Sequence, residues 1–243
     1  MGKIPYLNSE PFYYGLNGAG LELYSLSPRA LGQMAERGEV DAAPLSLVDC
    51  LCLAERFEPL GDFCIATRRE ARSVLLFSRK PLEALEGATI AITGETSTSV
   101  QLLKVLLQHK YRIWPRAYVA LGESCDAFLL IGDEALRQRH GSPEFPYRYD
   151  LGVEWYEWTG LPFVFALWVV RKDLPGPDKA ALRSVVTRAL DRGLQALDRI
   201  ARIRGDTGLC PEEVTEYLEG FRYVLGAEER EAIARFRALM AAL

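Results

Sequence analysis

The sequence of 243 residues lacks both a long apolar run and an excess of positive charge. Its longest apolar segment, residues 161–170, is far shorter than the roughly 20 residues of a membrane-spanning helix. Its formal net charge is −4, whereas proteins that bind nucleic-acid phosphates are usually basic. We therefore expect no membrane-spanning helix and no nucleic-acid partner.

The N-terminal residues lack the features of an exported or lipidated protein. Residues 1–8, MGKIPYLN, contain no basic region followed by an apolar run and no small-residue cleavage site. Tyr6 stands where N-myristoylation requires Ser or Thr. The expected location is the cytoplasm.

Histidine and cysteine are too few and too scattered to predict a metal site. The five cysteines are an odd number, and the pair Cys50 and Cys52 is not followed by a second pair. The two histidines, His109 and His140, fall at the end of a predicted helix and in a polar loop. We expect buried free thiols, solvent-facing histidines, and neither a metal nor an organic cofactor.

Several catalytic and nucleotide-binding motifs are also missing. The sequence contains no G-x-S-x-G, no H-E-x-x-H and no G-x-x-x-x-G-K-[ST], and no G-x-G-x-x-G follows the first predicted strand. These absences argue against serine hydrolases, zinc peptidases, P-loop proteins and dinucleotide-dependent enzymes.

What is present favours a layered α/β protein. The apolar fraction, 49%, is enough for one large domain or two smaller ones. Strand-like and helix-like segments alternate through the first two-thirds of the chain, and after a break at 174–177 the pattern is helical. The predicted strands comprise residues 3–6, 21–26, 40–43, 73–78, 88–93 and 126–131 and a run that begins at Pro162.

This alternation predicts two α/β lobes with a ligand cleft between them. We assign residues 1–74 and 170–243 to lobe 1 and residues 75–169 to lobe 2. Segments 73–78 and 163–171 are the predicted crossing strands, and the C-terminal helices are expected to return to lobe 1.

The run Thr96-Ser97-Thr98-Ser99 is the strongest local indication of a binding site. It follows a predicted strand and opens a helix, where unpaired N–H groups and the helix dipole favour an anion. An ordinary N-cap, the alternative interpretation, needs only one hydroxyl. Four hydroxyls in succession therefore favour a carboxylate or phosphate ligand.

Polar residues follow other predicted strands. Asn8 lies after the first strand, Ser46 after the third and Asp133 after the strand at 126–131. In open α/β sheets, ligands bind beyond the carboxyl ends of the strands. Structural alternatives remain for all three: Asn8 as a turn residue, and Ser46 or Asp133 as a helix cap, which we favour for Ser46.

Five segments taken together resemble one known family. They are KIPYLNSEP (3–11), DAAPLS (41–46), the run 96–99, LIGDEAL (130–136) and EWTGLPFVFA (157–166). On these segments, which occur in the same order along nearly the whole chain, the sequence is similar to the chorismate dehydratases of the futalosine route to menaquinone, the MqnA family.

The resemblance implies the two-lobed fold of type II periplasmic binding proteins and a lyase activity. Chorismate, a small-molecule substrate, would lose water to give 3-[(1-carboxyvinyl)oxy]benzoate. The family's hydrogen-bonding catalytic pair maps onto Asn8 and Ser73, which would orient the leaving hydroxyl and the enolpyruvyl group. The substrate-binding residues that it implies are Ser46, Thr96, Ser97, Thr98, Ser99, Asp133 and Pro162.

The matched segments offer no obvious base. Our hypothesis is that the enolpyruvyl carboxylate of the substrate takes the proton, with Asp133 as the alternative. Two other functions stay open: a 1,4-dihydroxy-6-naphthoate synthase, which would be expected to use a histidine, and a non-catalytic binder of small carboxylates. The oligomeric state is open between a monomer and a homodimer.

Overall fold

The computed structural model describes residues 1–16 and 20–243, and these divide into two compact units. Unit 1 consists of Met1–Ile65 and Phe165–Leu225, and unit 2 of Ala66–Val164 and Gly226–Leu243. The chain therefore passes from one unit to the other three times, on the first two occasions within a strand.

The strands and helices alternate along much of the described chain. The strands are β1 (Gly2–Lys3), β2 (Tyr24–Ser25), β3 (Ala42–Ser46), β4 (Phe57–Thr67), β5 (Val74–Ser78), β6 (Thr89–Ile92), β7 (Ala117–Ala120), β8 (Ala127–Ile131), β9 (Tyr147–Asp150), β10 (Phe163–Arg171) and β11 (Phe221–Val224). The α-helices are α1 (Pro28–Glu36), α2 (Leu47–Cys52), α3 (Thr98–Val105), α4 (Gly132–Arg137), α5 (Leu151–Thr159), α6 (Gly176–Leu194), α7 (Leu197–Ile203), α8 (Pro211–Glu219) and α9 (Ala227–Met240). A 3₁₀ segment spans Leu7–Tyr13, and a π-helical turn, Leu106–Tyr111, continues α3.

Unit 1 is built on a four-stranded sheet in the order β11-β4-β10-β3, with a separate parallel pair of β1 and β2. Strands β3 and β10 are antiparallel, and Trp168 lies opposite Pro44. Every residue of β3 is buried, as its largely apolar sequence requires. At α1 the predicted boundaries are confirmed: the Ser27 hydroxyl accepts from Ala30 N, Pro28 is the first helical residue and Gly38 follows the end with φ +76°.

Unit 2 is built on a five-stranded sheet in the order β7-β6-β8-β5-β9. Strand β6 is parallel to β7 and β8, whereas β5 is antiparallel to both of its neighbours, β8 and β9. Strands β6 to β9 therefore all run in one direction. Their carboxyl ends meet the beginning of β5 at a single edge of the sheet, which we call the unit 2 edge.

The first crossing strand differs from the prediction. Residues 73–78 were predicted to cross between the lobes, but β5 lies inside unit 2 between two other strands of the sheet. The chain leaves unit 1 within β4, a strand of 11 residues. The sequence pattern does not predict a strand at residues 57–67, because Pro59, Gly61 and Asp62 are residue types typical of turns.

The C-terminal residues also differ from the prediction. Strand β11 interrupts the expected helices, and α9 belongs to unit 2 rather than to the part of the chain assigned to lobe 1. Phe236 of α9 is completely buried, with its ring centroid 5.0 Å from that of Phe163 and 6.0 Å from that of Trp155. The helical period marks the inward face of α9 but carries no information on which unit covers that face.

The thiols are free but only partly buried. Cys50 and Cys64 are buried, whereas Cys52 and Cys210 are exposed, so the expectation of buried thiols is wrong for these last two.

In the described part of the chain, no helix combines the length and the apolar character needed to cross a membrane.

Candidate functional site

The turn that carries Asn8 is fixed by two buried hydroxyl groups. The Ser9 hydroxyl donates to the carbonyl of Ile4 at 2.6 Å, and the carbonyl of Tyr6 lies 2.8 Å away. The Tyr13 hydroxyl accepts from Ile4 N and donates to the carbonyl of Gly2, each at 3.3 Å. Burial raises the pKa of Tyr13, which keeps this donor protonated.

Asn8 itself has a buried oxygen that none of the described residues binds. Its Oδ1 atom is inaccessible to solvent and has no hydrogen-bond partner among the described residues. Buried polar atoms are nearly always paired, and an unpaired one costs free energy. Thr67, Tyr118, Trp168 and Tyr223 also have such an atom, but of these five residues only Asn8 was predicted to contact a ligand.

An ion-pair cluster anchors the same 3₁₀ segment. The Glu10 carboxylate lies 2.7 Å from Arg204 Nη1 and 3.4 Å from Lys3 Nζ. Helix α6 approaches the same segment closely, since a Cβ atom added to Gly193 would overlap the carbonyl oxygen of Pro11. The Asn8 turn is therefore held from both α6 and the segment that follows α7.

Ser46 caps a helix. Its hydroxyl donates to Asp49 Oδ2 at 2.7 Å and accepts from Asp49 N at 3.2 Å, which makes it the N-cap of α2. This is the interpretation that the sequence favoured. The hydrogen bonds leave no observation in support of a substrate contact at Ser46.

Ser73 lies at the unit 2 edge, immediately before β5. Its carbonyl accepts from Gly132 N at 2.8 Å, and its hydroxyl donates to the carbonyl of Ala71 at 3.2 Å. The residue is 1% exposed. The next residue after Gly132 is Asp133, also buried, so the sheet brings Ser73 and Asp133 to the same place.

The hydroxyl run Thr96–Ser99 lies at the same edge because it follows β6. The Thr93 N–H donates to the carbonyl of Leu129 in β8 at 3.3 Å, which continues the pairing of the two strands up to the run. Thr96 Oγ1 accepts from Ser99 N at 3.0 Å, so Thr96 supplies the capping bond, and Ser97 makes none. One hydroxyl therefore serves the cap, as an ordinary helix start requires.

Pro162 precedes β10, a strand of the unit 1 sheet, and is not part of the five-stranded sheet. Its carbonyl accepts from Trp155 Nε1 at 2.9 Å. Both residues are buried, and this bond satisfies the only polar group of the Trp155 side chain. The observed role of Pro162 is thus in the packing of unit 2.

The two histidines are in different settings. His109 is half-buried, with Nε2 3.0 Å from the carbonyl of Leu239 in α9, so the expectation that it faces solvent is wrong. His140 is exposed, as expected. Neither belongs to the segments that carry the other candidate residues.

Sequence reasoning missed Asp150. Asp150 is the last residue of β9, at the unit 2 edge, and its half-buried carboxylate accepts hydrogen bonds from the backbone N–H groups of Ala71, Arg72, Gly152 and Val153. Burial raises the pKa of this carboxyl, and the four N–H donors act in the opposite direction. An Asp before an apolar run is a helix-start signal, so the capping role was detectable from sequence, but the bonds to residues 71 and 72 were not.

A cavity of about 480 Å³ lies elsewhere in unit 1 and is lined by β4 and α6. Its lining contains none of the candidate residues. This cavity is therefore separate from the candidate site.

Comparison with known proteins identifies the relatives of this chain. A family model described as "Menaquinone biosynthesis" matches residues 1–242. A chorismate dehydratase of Thermus thermophilus is 32% identical over 97% of this chain and 93% of its own length. A 1,4-dihydroxy-6-naphthoate synthase of the same organism is 33% identical over 66% of this chain and 62% of its own length.

A solved structure supports the fold. A Candida albicans protein that is described as having the generic periplasmic binding protein fold aligns with a TM-score of 0.63 and 12% identity, over 100% of this chain and 89% of its own. The predicted α/β fold of the periplasmic-binding-protein type is thereby confirmed. With a family model that spans residues 1–242 and a relative that is 32% identical over 97% of the chain, the protein belongs to the menaquinone biosynthesis family.

Proposed function

We propose that this protein is a chorismate dehydratase, a lyase that converts chorismate to 3-[(1-carboxyvinyl)oxy]benzoate and water on the route to menaquinone. The observation that carries the proposal is the 32% identity to a chorismate dehydratase over 97% of the chain. The match of the family model to residues 1–242 supports the same pathway.

The reaction needs orientation more than strong catalytic groups. The proton leaves C3 of the ring, the hydroxyl leaves C4, and the electrons of the broken C–H bond complete the aromatic ring. Proton and hydroxide combine as water, so no electrons enter or leave the substrate. Since aromatisation supplies the driving force, fixing the reacting groups accounts for most of what the enzyme must do.

We assign the orienting role to Asn8 and Ser73. The buried Oδ1 atom of Asn8, which has no partner among the described residues, supports this role, because a substrate hydroxyl could donate to it. Ser73 is supported by its position before β5, at the edge where strand ends carry the other candidate residues.

The start of α3 would hold one of the two carboxylates of chorismate. The N-terminal end of a helix carries partial positive charge, and Thr96, Thr98 and Ser99 place three buried hydroxyls beside it. This arrangement suits a carboxylate better than a neutral group.

We propose that the enolpyruvyl carboxylate of the substrate takes the C3 proton. Asp133 is the alternative base, supported by its burial in the first turn of α4 beside the Ser73–Gly132 bond. An Asp133→Asn enzyme is expected to keep most of its turnover if the substrate supplies the base, and to lose nearly all of it if Asp133 does.

The experiment is incubation of the purified protein with chorismate, followed by mass spectrometry and ultraviolet absorption. We expect a product lighter by one water with a benzoate spectrum, formed faster than in an enzyme-free control. The Asn8→Ala protein, purified in the same way, is the matched control: equal product formation by this variant would indicate a contaminating enzyme. Unchanged chorismate in the presence of folded protein would overturn the proposal.

The partial identity to a 1,4-dihydroxy-6-naphthoate synthase makes that enzyme the second candidate. Such an enzyme would be expected to place a histidine beside its substrate, whereas His109 contacts Leu239 and His140 is exposed. If chorismate is bound without conversion, a thermal-shift screen of small carboxylates distinguishes this candidate from a non-catalytic binder.

A cytoplasmic location is part of the proposal and is supported by the five free thiols.

A further inference from the structure

We propose that Asp150 is a positioning residue for Ser73, and that it acts by holding the backbone of residues 71 and 72 in the conformation that presents the Ser73 hydroxyl. The inference rests on the proposed function, since it takes Ser73 as a group that contacts the substrate. It adds a residue outside the matched segments of the sequence.

The two oxygens of the Asp150 carboxylate have different partners. Oδ1 accepts from Gly152 N at 2.8 Å and from Val153 N at 3.3 Å, which caps α5, and from Ala71 N at 3.1 Å. Oδ2 accepts from Arg72 N at 2.6 Å. A helix cap requires one oxygen, so the second oxygen has a role that capping does not explain.

The backbone at Arg72 needs such a restraint. Arg72 has φ +57°, in the left-handed region that favours glycine. A residue with a side chain persists there when surrounding contacts hold it, and such sites cluster near functional groups. Ser73 follows directly, so any relaxation of Arg72 redirects the Ser73 hydroxyl.

The element that carries Asp150 is itself fixed in place. A Cβ atom added to Gly152 would lie 2.6 Å from the carbonyl oxygen of Arg69, so α5 begins in close contact with the segment before Ser73. One turn later, the half-buried Lys110 Nζ lies 2.5 Å from Glu154 Oε2, and the Tyr111 hydroxyl donates to the same carboxylate. Asp150 therefore holds residues 71 and 72 from a helix that is anchored to the π-helical turn.

The test uses Asp150→Asn. Asparagine caps helices as well as aspartate does, but it keeps only one acceptor oxygen, so the cap of α5 survives and the bond to Arg72 N is lost. We expect kcat for chorismate to fall by ~10- to 100-fold with a smaller change in KM, as expected when a reacting group is displaced. In the Ser73→Ala background the same substitution should have little further effect.

Hydrogen–deuterium exchange supplies a readout that does not depend on turnover. In Asp150→Asn the amides of residues 71–73 should exchange faster than in the wild-type protein, while those of α5 stay protected. Glu157→Gln is the matched control. It removes the charge from an exposed ion pair between α5 and Arg69 and is expected to leave kcat and the exchange of residues 71–73 unchanged.

Three outcomes would overturn the inference. One is unchanged exchange at residues 71–73 in Asp150→Asn. Another is a double variant, Asp150→Asn with Ser73→Ala, whose loss of kcat equals the product of the two single losses. Independent effects of that kind mean that Asp150 does not act through Ser73. The third is wild-type protein that does not convert chorismate, and this result overturns the proposed function as well. Either of the first two results, obtained with an active wild-type protein, overturns the inference alone.

Discussion

At the scale of single residues, the candidate side chains differ in whether the protein already uses their polar groups. Asn8 has a buried oxygen with no partner among the described residues, whereas the hydroxyl of Ser46 both donates to and accepts from Asp49. Buried polar atoms without a partner are rare in folded proteins, so Asn8 is the better candidate of the two for a substrate contact. The contrast gives opposite expectations for the two substitutions to alanine.

For Asn8→Ala we expect a fall in kcat of about 100-fold, the size typical of losing one oriented hydrogen bond in a catalytic site. The free energy of unfolding should stay the same or rise slightly, because the change removes a buried acceptor to which no described residue donates. Initial rates with chorismate and urea denaturation measure the two quantities. A marked loss of stability with intact turnover would mean that Asn8 only shapes the turn.

For Ser46→Ala we expect the reverse. The loss of the N-cap of α2 should lower the free energy of unfolding by about 1 kcal/mol. Turnover at saturating chorismate should stay near that of the wild type, because the Ser46 hydroxyl serves the helix. A large increase in KM without a change in stability would instead assign Ser46 to the substrate.

At the scale of elements, close backbone contacts fix the segments that carry the site. The clearest case is the approach of α6 to the 3₁₀ segment Leu7–Tyr13, which contains Asn8. At Gly193 the two backbones are so close that no side chain fits between them. The position of the Asn8 turn therefore depends on a glycine remote from it in sequence.

Gly193→Ala is expected to destabilise the protein. Its Cβ atom would meet the carbonyl oxygen of Pro11 at 2.2 Å, and the backbone must shift to relieve the contact. Overpacking of this kind costs about 1–3 kcal/mol. Gly176→Ala, in the same helix with nothing within 4 Å of the added atom, is the control and should be neutral or slightly stabilising. Thermal or urea denaturation of the two variants compares them, and equal stability would contradict the expectation.

At the scale of the whole molecule, both units are assembled from segments that are distant in the chain. Unit 2 combines Ala66–Val164 with the C-terminal Gly226–Leu243, and the buried rings of Phe236, Phe163 and Trp155 join the two parts. The last helix is therefore part of the core of unit 2. Its removal should affect that unit first.

Phe236→Ala is expected to lower the free energy of unfolding by about 3–5 kcal/mol, as for other fully buried aromatic residues. Hydrogen–deuterium exchange should show faster exchange in unit 2, in α5 and α9 above all, with little change in the four-stranded sheet of unit 1. Faster exchange that is confined to unit 1 would contradict the division of the chain. Phe145→Ala, a partly buried ring at the cluster of Phe77 and Phe128, is a milder control within the same unit.

The sequence by itself determined the fold class, the start of α1 and α2, and the family. These depend on neighbouring residues: Ser27 and Ser46 cap the helices that follow them, and the hydroxyl run opens α3. The matched segments likewise remain recognisable without any knowledge of contacts. Whether Asn8 and Ser73 act on the substrate stays a prediction.

Only the tertiary structure decided how these elements are combined. The Asp150–Arg72 bond joins residues 78 positions apart. Helix α9 packs on Phe163 of unit 2, although the whole of Phe165–Leu225, which belongs to unit 1, lies between them in the sequence. Periodicity shows that a helix has an apolar face and that a strand is buried, but many partners satisfy the same pattern. Which partner is chosen depends on close packing and on pairing buried polar groups, and both are settled by residues far apart in the sequence.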